Sequence, residues 1–158
     1  EDFNYERLKD VCFICQPSLF FRKKLVDQYG YLDDTLQYCM DYDYWLRLGK
    51  GEQFFRLNDL IAGSRLYEDN KTLGARRKVH EEMLVMQKKN LGKASEKWIY
   101  NLAHVIVDEM GIPRVKDDRT NPDFARMLAK VSVKEFLKHY KYIPWHVLKN
   151  IKNWYFAK

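Results

Sequence analysis

The chain has 158 residues, 46% of them hydrophobic and 32% charged, with 15% aromatic. Those proportions suit a folded domain with a core and exclude a disordered chain. The formal charge of +6 lies in one place, because residues 122–158 carry eight Lys/Arg against two Asp/Glu while the rest balances. That is a local basic face rather than a generally basic protein, which argues against nucleic acid as a partner. No apolar run approaches the roughly 18 residues of a membrane-crossing helix, and no secretory leader is visible.

In chain order, residues 11–21 (VCFICQPSLFF) are apolar and β-prone, so a buried strand is expected, broken at Gln16-Pro17-Ser18. Cys12 and Cys15 then point to opposite faces of that strand and read as reduced core thiols. With Cys39 they make an odd, low count, which fits a cytosolic setting. A short helix over 22–28 is expected to end at Gly30 in a left-handed cap, followed by a turn at Asp33-Asp34-Thr35. Residues 40–50 (MDYDYWLRLGK) place Tyr42, Trp45, Leu46 and Gly49 on one helical face. Two short strands are expected within 53–67, around Asn58-Asp59, and a polar loop over 68–72. Helices are predicted at 74–91, 94–110, 123–139 and 144–156, the last opened by Pro144, with a linker over 111–122. The fold class read from this pattern is α/β, or an α+β fragment: short strands plus helices, then a helical tail.

Two segments carry a more specific signal. The first is Ile14-Cys15-Gln16-Pro17-Ser18-Leu19-Phe20-Phe21-Arg22, followed by Tyr29-Gly30-Tyr31 and Asp33. The second is Met40-Asp41-Tyr42-Asp43-Tyr44-Trp45-Leu46-Arg47-Leu48, with Arg65-Leu66-Tyr67 and Glu68-Asp69-Asn70-Lys71-Thr72 after it. Over about residues 11–90 the chain resembles the C-terminal, acceptor-side part of inverting family 2 glycosyltransferases of the GT-A fold. The resemblance implies transfer of a sugar from a nucleotide sugar to a hydroxyl of a glycan or lipid-linked acceptor. It implies residues 1–110 as the acceptor-side portion, with 111–158 as a basic helical tail. The first residue is Glu1, and the Asp-x-Asp motif such enzymes use to hold Mg or Mn on the diphosphate is not found ahead of Cys12. The nucleotide-binding half and the metal ligands are therefore expected upstream, and the 158 residues alone are expected to be inactive.

An attacking hydroxyl needs a carboxylate to take its proton. By the resemblance that base is Asp41, at a helix start where the backbone N–H groups favour an anion. Met40 replaces the first member of the family's acidic pair. Two alternatives stand beside this reading: Asp41 is only a helix cap, or Asp43 is the base. Asp43 lies four residues before Arg47, which reads as a solvated ion-paired stripe. Substrate contacts are assigned to Gln16, Ser18, Asp43, Trp45, Arg65, Tyr67 and Lys71. For Gln16 and Ser18 the rival reading is a kink at Pro17 with Ser18 capping the next helix. For Trp45 it is core packing, which the helical period favours. Tyr67 stands where many relatives have a His, and Tyr is a poor metal ligand at neutral pH, so no metal ligand is assigned within the chain. His80, His104, His139 and His146 form no metal-like spacing.

Residues 138–158 mix Lys with Tyr, Trp and Phe. Trp145, Leu148, Ile151 and Tyr155 could share one face, either packed on the domain or laid on an anionic membrane from the cytoplasmic side. The competing function, from another class, is a non-catalytic helical binding module or membrane-surface adaptor.

Overall fold

The computed structural model describes residues 2–63, 74–116 and 118–156. It is mostly helical, 59% helix against 3% strand. The expectation of an α/β, GT-A-type fragment is overturned. Among the described residues the only strand pairing is an exposed two-residue hairpin, β1 (Val115–Lys116) with β2 (Arg119–Thr120). Residues 11–15 hold extended geometry at Val11 and Cys15, but no ladder forms along them. Residues 53–63 form none either. β-prone side chains mark a segment that fits a pleated surface; a strand also needs a neighbour to exchange hydrogen bonds with, and none is described here. In consequence Cys15 is exposed and Cys12 only half-buried, correcting the expectation of two core thiols, while Cys39 is buried.

The chain divides into two compact units, residues 1–95 and 96–158. The division falls between Ser95 and Glu96 rather than at the expected 110/111. The helix expected over 94–110 therefore belongs with the second unit.

In the first unit, α1 (Tyr5–Asp10) starts at Asn4, whose side-chain oxygen accepts from the Arg7 N–H at 2.9 Å. A 3₁₀ turn at Gln16–Ser18 follows, with Pro17 inside it. Helix α2 (Lys24–Tyr29) ends at Gly30, whose φ of +78° only glycine adopts cheaply. Helix α3 (Met40–Leu48) packs against α1, α2 and α4 (Arg76–Leu91). It buries Tyr42, Tyr44, Trp45, Leu46 and Leu48, so it is covered on nearly every side rather than on one stripe. Gly49 lets the chain pass closely: a Cβ there would meet Tyr5 Cδ2 at 2.9 Å and Phe3 Cζ at 3.1 Å.

The second unit is a helical assembly. It consists of α5 (Glu96–Glu109), α6 (Pro122–Tyr140) and α7 (Trp145–Tyr155), with α6 packing on both neighbours. Ala103, Val107, Phe124, Leu128 and Val131 form its core, with Ile106, Ile112, Met127 and Trp154 packed around them. Asn121 caps α6 through Asp123 N–H at 3.0 Å and also donates to Pro113 O at 2.8 Å. The stretch expected as a plain linker is therefore a capped turn carrying the hairpin. No helix among the described residues is long and apolar enough to cross a membrane.

Candidate functional site

Helix α3 carries both motif carboxylates, and the structure gives them different work. Asp43 is 2% exposed. Arg47 Nε donates to its Oδ2 at 2.9 Å, and Asn90 Nδ2, from α4, donates to its Oδ1 at 2.7 Å. The i,i+4 partner foreseen from sequence is real, but Asp43 is buried and Arg47 only partly exposed, so the pair is not a solvated one. Arg47 also donates to Tyr29 O at 2.6 Å and Tyr31 O at 2.8 Å, on either side of Gly30. The guanidinium further lies 4.7 Å from the Tyr44 ring centroid. Asp43 and Arg47 thus tie α2, α3 and α4 together. This removes Asp43 from the set of candidate bases and of substrate contacts, since both its oxygens are engaged inside the protein.

The approach to α3 is fixed from α4. Glu82 accepts from the backbone N–H groups of Gln37 (2.9 Å), Tyr38 (2.7 Å) and Cys39 (3.0 Å), and from the Cys39 thiol at 3.2 Å. Burial works against its charge, but these donors outweigh burial and hold Glu82 below the usual carboxylate range. The Cys39 thiol is pushed up, first by burial and then by Glu82. Behind this, Tyr42 donates its hydroxyl proton to Leu8 O. Gln87, fully buried, donates to Lys9 O at 2.6 Å and accepts from Ser95 N–H at 2.7 Å. Neither Glu82 nor Gln87 was singled out by the sequence reading. Gln87 had a signal: it falls on the Val79, Met83 apolar row at i+4 spacing, where a polar residue has to find buried partners.

Asp41 lies in the first turn of α3 and is half-buried. Among the described residues its carboxylate takes one hydrogen bond, from the Tyr42 N–H at 2.7 Å. Among the described residues no side chain pairs with it, in contrast to Asp43. It sits close enough to Cys12 for its charge to matter there. The Cys12 thiol is pushed up to about 12, by burial first and by Asp41 second. The helix is capped by Cys39, with no side-chain cap bond, so Asp41 is not the N-cap residue. What remains is a half-buried carboxylate in the first turn of the helix that takes a single hydrogen bond among the described residues.

The other predicted contacts separate. Trp45 is buried, its ring set against Phe21 and Tyr44, which fits core packing and removes it from any open sugar-stacking role. Gln16 is exposed. Ser18 donates to Cys15 O at 3.0 Å within the 3₁₀ turn and does not cap α2, whose cap position is Lys23. Ser18 does line a cavity of about 240 Å³, together with Phe13, Phe20, Phe54, Leu57 and Ile61. Asp41 is not among that cavity's lining residues. Arg65, Tyr67 and Lys71, with the loop over 68–72, lie outside the described residues.

Among the described residues no group of three His, Cys, Asp or Glu could hold a metal ion. Asp43 is committed to Arg47 and Asn90, and Glu82 to backbone N–H groups. No protein-family model, no curated protein and no solved structure matches the chain.

Proposed function

We propose that the chain supplies the acceptor-activating base of a glycosyl transfer that inverts the anomeric centre, with Asp41 as that base. The observation that supports this reading is the division of labour on α3. The motif presents two carboxylates two residues apart; one is consumed by Arg47 and Asn90, and the other keeps a proton-accepting oxygen. In such a transfer the acceptor hydroxyl attacks the anomeric carbon as the nucleoside diphosphate leaves, and the hydroxyl proton passes to the carboxylate. A glycan or lipid-linked hydroxyl is the acceptor class that the motif resemblance suggests. The donor is a nucleotide sugar held by residues outside those described, and the reaction step needs nothing from Asp43.

The test compares two variants of the full-length protein, assayed for nucleotide release across a panel of nucleotide sugars and acceptor sugars. Asp41→Asn should lower the rate by at least about 100-fold while leaving the melting temperature unchanged. Asp43→Asn should lower the melting temperature and leave the rate per folded molecule nearly intact. Full activity in Asp41→Asn would end the proposal.

A further inference from the structure

Helix α7 has two apolar faces, and the unit uses only one. Val147 and Ile151 are buried, and Trp154 packs on the core. On the opposite side Trp145, Leu148, Lys149, Lys152, Tyr155 and Phe156 fall within one sector of about 120° at 3.6 residues per turn. Trp145 is 81% exposed and Phe156 67%. The expected grouping of Ile151 with Trp145, Leu148 and Tyr155 is thereby corrected: Ile151 turns inward, and Lys149 and Lys152 share the aromatic side.

Beside this face an apolar groove of about 410 Å³ runs between α6 and α7. Ala129, Val133, Leu148 and Ile151 are among its lining residues, and Lys130 and Lys152 flank it. That volume falls within the roughly 300–1,000 Å³ of sites that take small apolar groups. Among the described residues neither Lys130, Lys149 nor Lys152 has an ion-pair partner. From residue 124 to 156 the single acid is Glu135, and it is 4% exposed, turned toward Lys138 and His139. The surface therefore shows exposed rings, an apolar furrow and uncompensated cations; the nearby acids Glu96 and Asp123 are paired with His146 and Arg126. Its complement is an interface with anions above and hydrocarbon below.

We infer that the α6–α7 face of the second unit docks on an anionic phospholipid bilayer, with Trp145 and Phe156 seated at the acyl boundary and Lys130, Lys149 and Lys152 on the headgroup phosphates. Lysine stems lie along apolar surface while their ammonium groups reach outward, so cations and rings on one face do not conflict. This inference is independent of the role given to Asp41.

The experiment is vesicle co-flotation of the 158-residue chain. Phosphatidylcholine vesicles with about a third phosphatidylglycerol should carry the protein up at low ionic strength, and binding should fall as salt rises. Lys149→Gln with Lys152→Gln should weaken binding about fivefold per lysine. Trp145→Ser with Phe156→Ser should weaken it about tenfold or more, with an unchanged circular dichroism spectrum because both side chains are exposed. Equal binding to pure phosphatidylcholine overturns the inference. So does an aromatic variant that still floats as well as the parent chain, or a parent chain that prefers a single-stranded RNA competitor to the vesicles, since the face is then only a polycation. Loss of flotation by salt in the unaltered chain supports it even if a variant misfolds.

Discussion

Both units bury apolar side chains, but they differ in what is added where their helices meet. In the first, short helices of six, six and nine residues meet a longer one, and the junctions are made by charged and amide groups: Asp43 with Arg47 and Asn90, Glu82 with three backbone N–H groups, Gln87 with Lys9 and Ser95. In the second, helices of 14, 19 and 11 residues meet through Phe124, Leu128, Val131 and their neighbours. Helices of six residues are unstable alone and have to be held by partners, whereas longer amphipathic ones bury enough area to fix one another. Polar junctions give a definite geometry, as a candidate site needs, and make that geometry sensitive to losing a single atom. Apolar contacts tolerate change more evenly, which suits a docking platform.

That contrast can be broken in order of expected effect. In the second unit Phe136→Ala empties part of the interior and should cost about 3–5 kcal/mol, with hydrogen exchange raised in α5 and α6. Asp43→Ala leaves Arg47 and Asn90 without their buried acceptor and should cost about 2–3 kcal/mol by chemical denaturation. In hydrogen exchange the loss should appear in α2, α3 and α4; equal deprotection of α6 would deny that the first unit opens separately. Gly49→Ala forces a Cβ against Tyr5 and Phe3 and should cost about 1–3 kcal/mol, read as a shift in urea midpoint.

Acid offers a finer probe. Glu82 is held below its ordinary value of 4.5, so its stabilisation is fully present above that value and is lost as pH falls through the lowered one. Stability of the first unit should therefore fall as pH drops below about 4.5, and Glu82→Gln should flatten that part of the profile. A profile unchanged by Glu82→Gln would remove Glu82 from the account of how α3 is positioned. The smallest effect belongs to Trp145→Ser, which should leave the melting temperature within about 1 °C of the parent because the ring is largely exposed.

The helices were readable from the sequence because their signals are local. Gly30 and Gly92 stop α2 and α4 with φ of +78°, Asn121-Pro122 opens α6, and Pro144 precedes α7. Residues 11–21 and 53–63 misled, because Val, Ile and Phe state a preference for a pleated surface and say nothing about whether a partner strand is there. At the site, the Asp43–Arg47 pairing followed from spacing along α3, whereas Asp41 was marked only by the motif resemblance. Burial of that pair did not, because it depends on Asn90, 47 residues further along. Glu82 was invisible for the same reason: its partners are backbone groups at 37–39, which no side-chain pattern announces.

The backbone N–H groups of residues 37–39 ordinarily make an inviting seat for phosphate, and here a glutamate already occupies that seat. An anionic group arriving at the entrance to α3 would have to evict a carboxylate of its own sign, with Asp41 beside it adding to the repulsion. The seat at residues 37–39 is therefore already filled by an internal anion, and what fills it is set by a residue one helix away.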